Sequence, residues 1–201
     1  MRKKGSNGQE SRARLLEAAA QEFARSGYHE TKISTIVSRA GLTQPSFYLY
    51  FQSKEAIFEE LMELFEIQFK EMGRHSREEP DDPDNVGQEG NRREASEGQM
   101  YRELAGLFGF LGKNQDLTQI GFFTGTQSAA LKRRLMSAIH SDFAAKQQNG
   151  HFRHDADMEI AAECLLGTIE CLTREQLLTG KRPPEELAQE VVRLYLLGLM
   201  A

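Results

Sequence analysis

The chain has 201 residues, 39% hydrophobic and 27% charged, with a formal net charge of −5. That length can bury the core of one domain or two small ones, and no apolar run is long enough to span a membrane. Met1-Arg-Lys-Lys-Gly is basic but no apolar stretch follows it, which argues against a secretory leader and for a cytoplasmic protein.

Nearly every periodic stretch has helical spacing, and no run alternates as a strand does. Residues 1–10 are polar and expected to fray. A first helix is predicted over Ser11–Ser26, with Leu15, Ala19 and Phe23 on one face and Gly27 ending it. Thr31 is a plausible cap for a short second helix carrying Ile33, Ile36, Val37 and Ala40 inward, and Gly41 breaks it. Thr43 can cap a third helix, with Pro45 tolerated in its first turn. Ser53 can cap a fourth, which has Ile57, Leu61, Phe65 and Phe69 at i, i+4 steps to about Gly73. Residues 74–97 are polar and interrupted by Pro and Gly, and read as a mobile linker. Helical spacing resumes over Gly98–Gly112, then a short piece over Asp116–Thr124. Longer helices follow over Gln127–Asn149, Asp155–Leu178 and Pro184–Met200. The expected fold is all-α with about nine helices: a three-helix N-terminal domain (1–54, reaching the start of helix 4) and a helical body (55–201).

The charge is not spread evenly. Residues 1–54 hold nine Lys/Arg and four Asp/Glu, and the remainder holds sixteen and twenty-six. A basic head on an acidic body suits a DNA-facing N-terminus. Helices 2 and 3 flank Ala40-Gly41-Leu42-Thr43, a tight glycine-containing turn with helix-turn-helix spacing, whose second helix would enter the major groove by its N-terminal end. Thr43, Gln44, Ser46, Tyr48 and Tyr50 would then face outward, and Phe47 and Phe51 inward. Gln44 can bond an adenine edge bidentately, and Pro45 offers a surface for a thymine methyl. Thr43 and Ser46 can bond a phosphate or a base, and the two tyrosines can reach phosphate. Lys54 and Lys32 sit at helix N-termini, where free N–H groups favour anions. Taken alone, the Phe-Tyr-Leu-Tyr-Phe run also reads as core packing.

Four stretches carry a more specific likeness: Leu15-Leu-Glu-Ala-Ala-Ala-Gln-Glu-Phe23, Gly27-Tyr-His-Glu-Thr-Lys-Ile33, Ile36-Val-Ser-Arg-Ala-Gly-Leu-Thr43 and Ser46-Phe-Tyr-Leu-Tyr-Phe-Gln-Ser-Lys-Glu55. In this order, Arg12–Met62 resembles the DNA-binding domain of the TetR (tetracycline-repressor-like) family of transcriptional regulators. The resemblance implies an Ω-shaped all-α homodimer that binds a palindromic operator as a repressor and is released by a small-molecule inducer. It implies phosphate contacts from Tyr48, Tyr50 and Lys54, and base contacts from Thr43, Gln44, Pro45 and Ser46. Pro45 departs from the small or flexible residue common there, and its ring removes a backbone donor.

The body offers Phe65, Phe69, Tyr101, Phe108, Phe122, Phe123 and Phe143 as core or as the lining of a ligand pocket. Few buried charges are evident, which favours an apolar or aromatic ligand. The fourth helix would link DNA to that pocket. For a dimer face, the penultimate helix offers Ile160, Ala161, Cys164, Leu165, Thr168 and Cys171, and the last offers Leu187, Val191, Leu194, Tyr195 and Gly198. Two such pairs would make a four-helix bundle. Cys164 and Cys171 are seven residues apart, too far for a mutual bridge, and read as reduced packing residues.

Besides a general DNA-coating protein and a plain protein-interaction bundle, two alternatives remain at this level: an activator of the same fold, or a metal-dependent enzyme or sensor using His151 and His154. The second is weakened because Asp155 reads as a helix cap. No cofactor, resident metal, catalytic residue or membrane association is expected, and no phosphate loop or nucleophile elbow occurs.

Overall fold

A computed structural model describes residues 4–78, 89–125 and 127–199. These residues form nine α-helices and two π-helical turns, with no strand among them. The helices are α1 (Lys4–Glu30), α2 (Ile33–Arg39), α3 (Gln44–Phe47), α4 (Lys54–Glu78), α5 (Glu89–Lys113), α6 (Gln115–Thr118), α7 (Ser128–Gln148), α8 (Met158–Leu172) and α9 (Pro184–Leu199). π-helical turns follow α6 over Gln119–Thr124 and α8 over Thr173–Leu177. No described helix is long and apolar enough to cross a membrane.

The chain divides into two compact units. The first comprises Met1–Gln68 with Asn114–Ser128, and the second Phe69–Lys113 with Ala129–Ala201. The expected boundary near residue 54 is therefore not where the packing divides, and the α6 segment packs with the head. The reason is apolar burial. Leu117, Ile120 and Phe122 are buried, and α6 with its π turn packs on α1.

In the first unit, α1 presents Leu15, Ala19 and Phe23 inward at i, i+4 steps. Gly27, at φ 79°, breaks α1, a conformation that costs glycine no Cβ clash. The helix begins at Lys4, well before the Ser11 expected. Phe23 meets Phe58 of α4 edge-on at 5.2 Å. Gly121 is a close-approach glycine: a Cβ there would lie 2.5 Å from the Phe65 ring.

In the second unit, α9 packs along α5. Asp157 caps α8, its Oδ1 accepting from Glu159 N at 2.9 Å and Ile160 N at 3.2 Å. The cap expected at Asp155 is displaced because that carboxylate pairs with Arg153, at 2.6 and 2.5 Å. The linker expected over 74–97 is helical at 74–78 and 89–97, and the rest of it lies outside the described residues. Arg92, Arg93, Glu94 and Ala95 are good helix formers. The next residue, Ser96, is buried with its Oγ 3.4 Å from His151 Nδ1.

Candidate nucleic-acid interface

The turn between α2 and α3 is held from two sides. Gly41 takes φ 62°, and Leu42 N donates to Val37 O at 2.8 Å, closing the end of α2. Arg14 of α1 donates to the Ala40 carbonyl, fastening the turn to the first helix. Phe47 has no exposure and Phe51 almost none, and their rings stand 5.7 Å apart. Burial of these two rings orients the remaining residues of the segment outward, as the i, i+4 spacing predicts.

Thr43, Gln44 and Pro45 are exposed, and Ser46 is half-buried. Thr43 has the extended backbone of an N-cap, but its hydroxyl pairs with Ser46 Oγ at 2.9 Å instead of capping. Gln44 leads α3 with its amide in solvent, and Pro45 sits in the first turn, where no donor is lost to the helix. Tyr48 is 53% exposed. Tyr50 is half-buried, and its hydroxyl lies 3.7 Å from where a Cβ on Gly8 of α1 would stand. Leu49 is 78% exposed, and sequence reasoning gave it no role. The signal was present: if Phe47 and Phe51 point inward, Leu49 between them cannot.

Lys32 caps α2 with its backbone and is exposed. Thr31, expected as that cap, is buried and donates instead to Gly27 O at 2.7 Å and Glu22 O at 3.1 Å, satisfying carbonyls at the end of α1. Ser53 does cap α4, accepting from Ala56 N at 3.2 Å.

Lys54 departs most from expectation. Its ammonium donates to three carbonyl oxygens, of Tyr28 at 2.8 Å, Thr31 at 3.0 Å and His29 at 3.3 Å. It also stands 4.5 Å above the Tyr28 ring. All three N–H donors are thus committed within the chain, and none is left for a phosphate. Beside it the Tyr28 hydroxyl donates to Glu55 Oε1 at 2.6 Å. That bond holds the Glu55 carboxyl down to about 2, while burial and the Glu55 charge push the Tyr28 hydroxyl up to about 12.

Among the described residues, the other basic side chains from Arg12 to Arg39 are largely paired within the first unit. Arg12 meets Glu60 at 2.5 Å and lies over the Phe51 ring. Arg39 and Arg25 converge on buried Glu22 at 2.5 and 2.8 Å. Burial raises that carboxyl, but the two guanidiniums more than offset it and hold it ionised. Between Arg12 and Lys54, Lys32 alone among the described basic side chains makes no such contact. Five of the nine basic residues counted over 1–54, namely Arg12, Arg14, Arg25, Arg39 and Lys54, thus make contacts within the chain.

The aromatic residues expected around a ligand are divided between the units. Phe65, Phe122 and Phe123 belong to the first, and Phe69, Tyr101, Phe108 and Phe143 to the second. Phe122 meets Phe123 edge-on at 5.1 Å, Phe69 meets Phe110 at 5.6 Å, and Phe143 meets Phe152 at 5.3 Å. Phe108 is fully buried, and Tyr101 is half-buried. The interior also carries more charge than the sequence suggested. Lys146 is buried and pairs with Asp142 at 2.7 Å, and burial raises the Glu103 carboxyl.

On α8 and α9, Cys164, Cys171 and Gly198 are exposed and Ala161, Thr168 and Tyr195 are half-buried. Thr168 Oγ1 lies 3.4 Å from the Tyr195 hydroxyl. Val191, expected on a dimer face, is 1% exposed, because it belongs to its own chain's core, as do Leu165 and Leu187. Leu194 at 67% and Ile160 at 58% carry the exposed apolar surface instead. The cysteines likewise are not packed within the chain. His151 and His154 form no cluster with acidic neighbours: Asp155 pairs with Arg153 and Asp157 caps α8.

Residues 15–61 match the model of the tetR family of bacterial regulatory proteins. The HTH-type transcriptional regulator YdgC of Bacillus subtilis (strain 168) is 44% identical over 195 residues, 97% of this chain and 95% of its own length. Among solved structures, a TetR family transcriptional regulator from Chloroflexus aurantiacus superimposes with a TM-score of 0.71, covering 96% of this chain and 94% of that one at 19% identity. The transcriptional regulator FadR from Bacillus subtilis, in complex with stearoyl-CoA, gives 0.64 over 92% and 98% at 18% identity.

Proposed function

The chain belongs to the TetR family of bacterial regulatory proteins, and from that premise we propose that it is a cytoplasmic repressor, a homodimer bound to a palindromic operator and released by a small inducer. The observation that carries this reading is the strip at the start of α3 of exposed Thr43, Gln44 and Pro45 with half-buried Ser46, fixed on the fully buried Phe47. These residues face base edges. Gln44 bonds an adenine, Pro45 packs on a thymine methyl, and the Thr43 and Ser46 hydroxyls bond bases or phosphate. Tyr48, Tyr50 and Lys32 bond phosphates. Lys54 acts behind them, by holding α4 to the end of α1.

Two heads are needed to read a palindrome, and the exposed Ile160 and Leu194 support pairing through α8 and α9. Dimerisation sets the distance between recognition helices, about 34–36 Å for half-sites one turn apart. An inducer of apolar or aromatic character, bound in the body, favours a different spacing and weakens operator binding by its differential affinity. The solved FadR complex with stearoyl-CoA, a ligand with a long apolar acyl chain on a charged nucleotide, supports an apolar portion in the ligand.

A nuclease footprint on the DNA upstream of the protein's own gene tests the reading. Protection of one short inverted repeat is expected, with saturation in the range of about 10⁻⁸–10⁻¹¹ M usual for specific binding. Uniform protection, or none, contradicts it.

A further inference from the structure

Leu49 is 78% exposed, the most of any large hydrophobic side chain among the described residues. Its backbone is nevertheless held. Leu49 N donates to Ser46 O at 3.3 Å, and Tyr50 N donates to Phe47 O at 3.0 Å. Both bonds span three residues, so the chain winds tightly past α3 and side chains three apart eclipse. Half-buried Tyr50 therefore follows buried Phe47, and Leu49 follows Ser46. Leu49 thus carries the strip of Thr43, Gln44, Pro45 and Ser46 one turn further on the same side. Tyr48, just before it, is 53% exposed with its ring edge-on to Phe47 at 5.5 Å. A lone exposed leucine elsewhere on a protein needs no explanation. This one continues a helix-turn-helix surface. It brings no donor or acceptor, so it can serve neither a phosphate nor a polar base edge. The apolar group that the major groove displays on its bases is the thymine C5-methyl.

We propose that Leu49 is a specificity-determining residue of the DNA site, its isobutyl group packing on a thymine methyl in each half-site. This rests on the reading of the chain as an operator-binding regulator. Thr43, Gln44 and Ser46 select bases by hydrogen bonds, and Leu49 selects one further thymine by hydrocarbon contact alone. That thymine is distinct from any that Pro45 meets.

The test uses the inverted repeat protected in the footprint, with each thymine replaced in turn by deoxyuridine. The exchange removes the methyl and keeps the base pair. By fluorescence anisotropy, one such exchange weakens the wild type about fourfold in one half-site and about fifteenfold in both, as for one methyl left in water at each. Leu49→Ala binds the unmodified repeat about fifteenfold more weakly and is indifferent to that exchange. Pro45→Ala remains sensitive to it, and Leu49→Met keeps part of the preference. Affinity of Leu49→Ala for a scrambled duplex and its Tm match the wild type's. The proposal is overturned if every exchange is silent in the wild type or if Leu49→Ala keeps the wild type's pattern. It is also overturned if Leu49→Ala weakens the scrambled duplex equally, which assigns the leucine to the sugar-phosphate backbone, or lowers Tm, which assigns it to packing. If the wild type prefers no inverted repeat, the operator reading itself falls. If it prefers one and Leu49→Ala keeps the pattern, only the Leu49 assignment falls.

Discussion

The Lys54 ammonium stands 2.8 Å from the carbonyl oxygen of Tyr28, joining the first turn of α4 to the end of α1. Two further carbonyls complete its donor set, so the lysine acts as a staple across the head. Lys54→Ala removes three charge-assisted bonds on a half-buried group, a loss of about 1–2 kcal/mol of stability. A phosphate contact and a staple predict different salt behaviour. A lost phosphate contact flattens the slope of log K against log salt by about one unit. For Lys54→Ala the slope stays that of the wild type while Tm falls; an altered slope at unchanged Tm assigns the lysine to DNA instead.

The neighbouring pair gives the head a pH profile. The Glu55 carboxyl, ordinarily at 4.5, is held at about 2, and the Tyr28 hydroxyl, ordinarily at 10.0, is raised to about 12. A lowered acid contributes stability above its unfolded value and loses it as pH falls towards the folded one. A raised acid contributes below its unfolded value and loses it as pH rises towards the folded one. The pair therefore stabilises between about pH 5 and pH 9 and weakens outside that window. In Tyr28→Phe, Tm is lower at neutral pH and declines less steeply below pH 4.5. An acid limb identical to the wild type's contradicts the assignment.

Gly121 is a packing requirement. A methyl there would stand 2.5 Å from the Phe65 ring, within the first unit. Gly121→Ala overpacks that contact and destabilises by about 1–3 kcal/mol. The double variant Gly121→Ala with Phe65→Leu recovers part of the loss relative to the sum of the single changes, by chemical denaturation. Strict additivity means the two residues do not press on each other.

Leu194, rather than Val191, is the residue to change at the proposed dimer face. Burying a leucine contributes about 1.5–3 kcal/mol, and a two-fold axis counts it twice. Leu194→Asp yields a monomer at micromolar concentration by light scattering with little change in helix content. Val191→Asp, by contrast, unfolds the chain. A dimeric Leu194→Asp protein moves the interface elsewhere.

Much of this was legible in the residues. The i, i+4 spacing of Phe47 and Phe51 gave the inward face of the recognition segment, and Gly27 and Gly41 gave the breaks around it. What escaped depends on partners distant in sequence. Thr31 and Asp155 are good capping residues locally, but one hydroxyl is drawn to α1 carbonyls and one carboxylate to Arg153. The basic balance of the head looked like a DNA-facing patch because Glu22 and Glu60 are invisible as partners until the helices pack. Val191 and Leu194 lie on one apolar stripe, and only the packing of α9 on α5 separates the buried one from the exposed one.

The central claim is that the N-terminal end of α3 reads an operator, and Gln44 tests it most directly. Fluorescence anisotropy compares wild type and Gln44→Ala on the upstream inverted repeat and on a scrambled duplex of equal length. The wild type is expected to prefer the repeat by about 10³-fold or more. Gln44→Ala should lose about 1–3 kcal/mol of that preference at each half-site, with scrambled-duplex affinity unchanged. Equal affinity of the wild type for both duplexes, or an undiminished preference in Gln44→Ala, contradicts it.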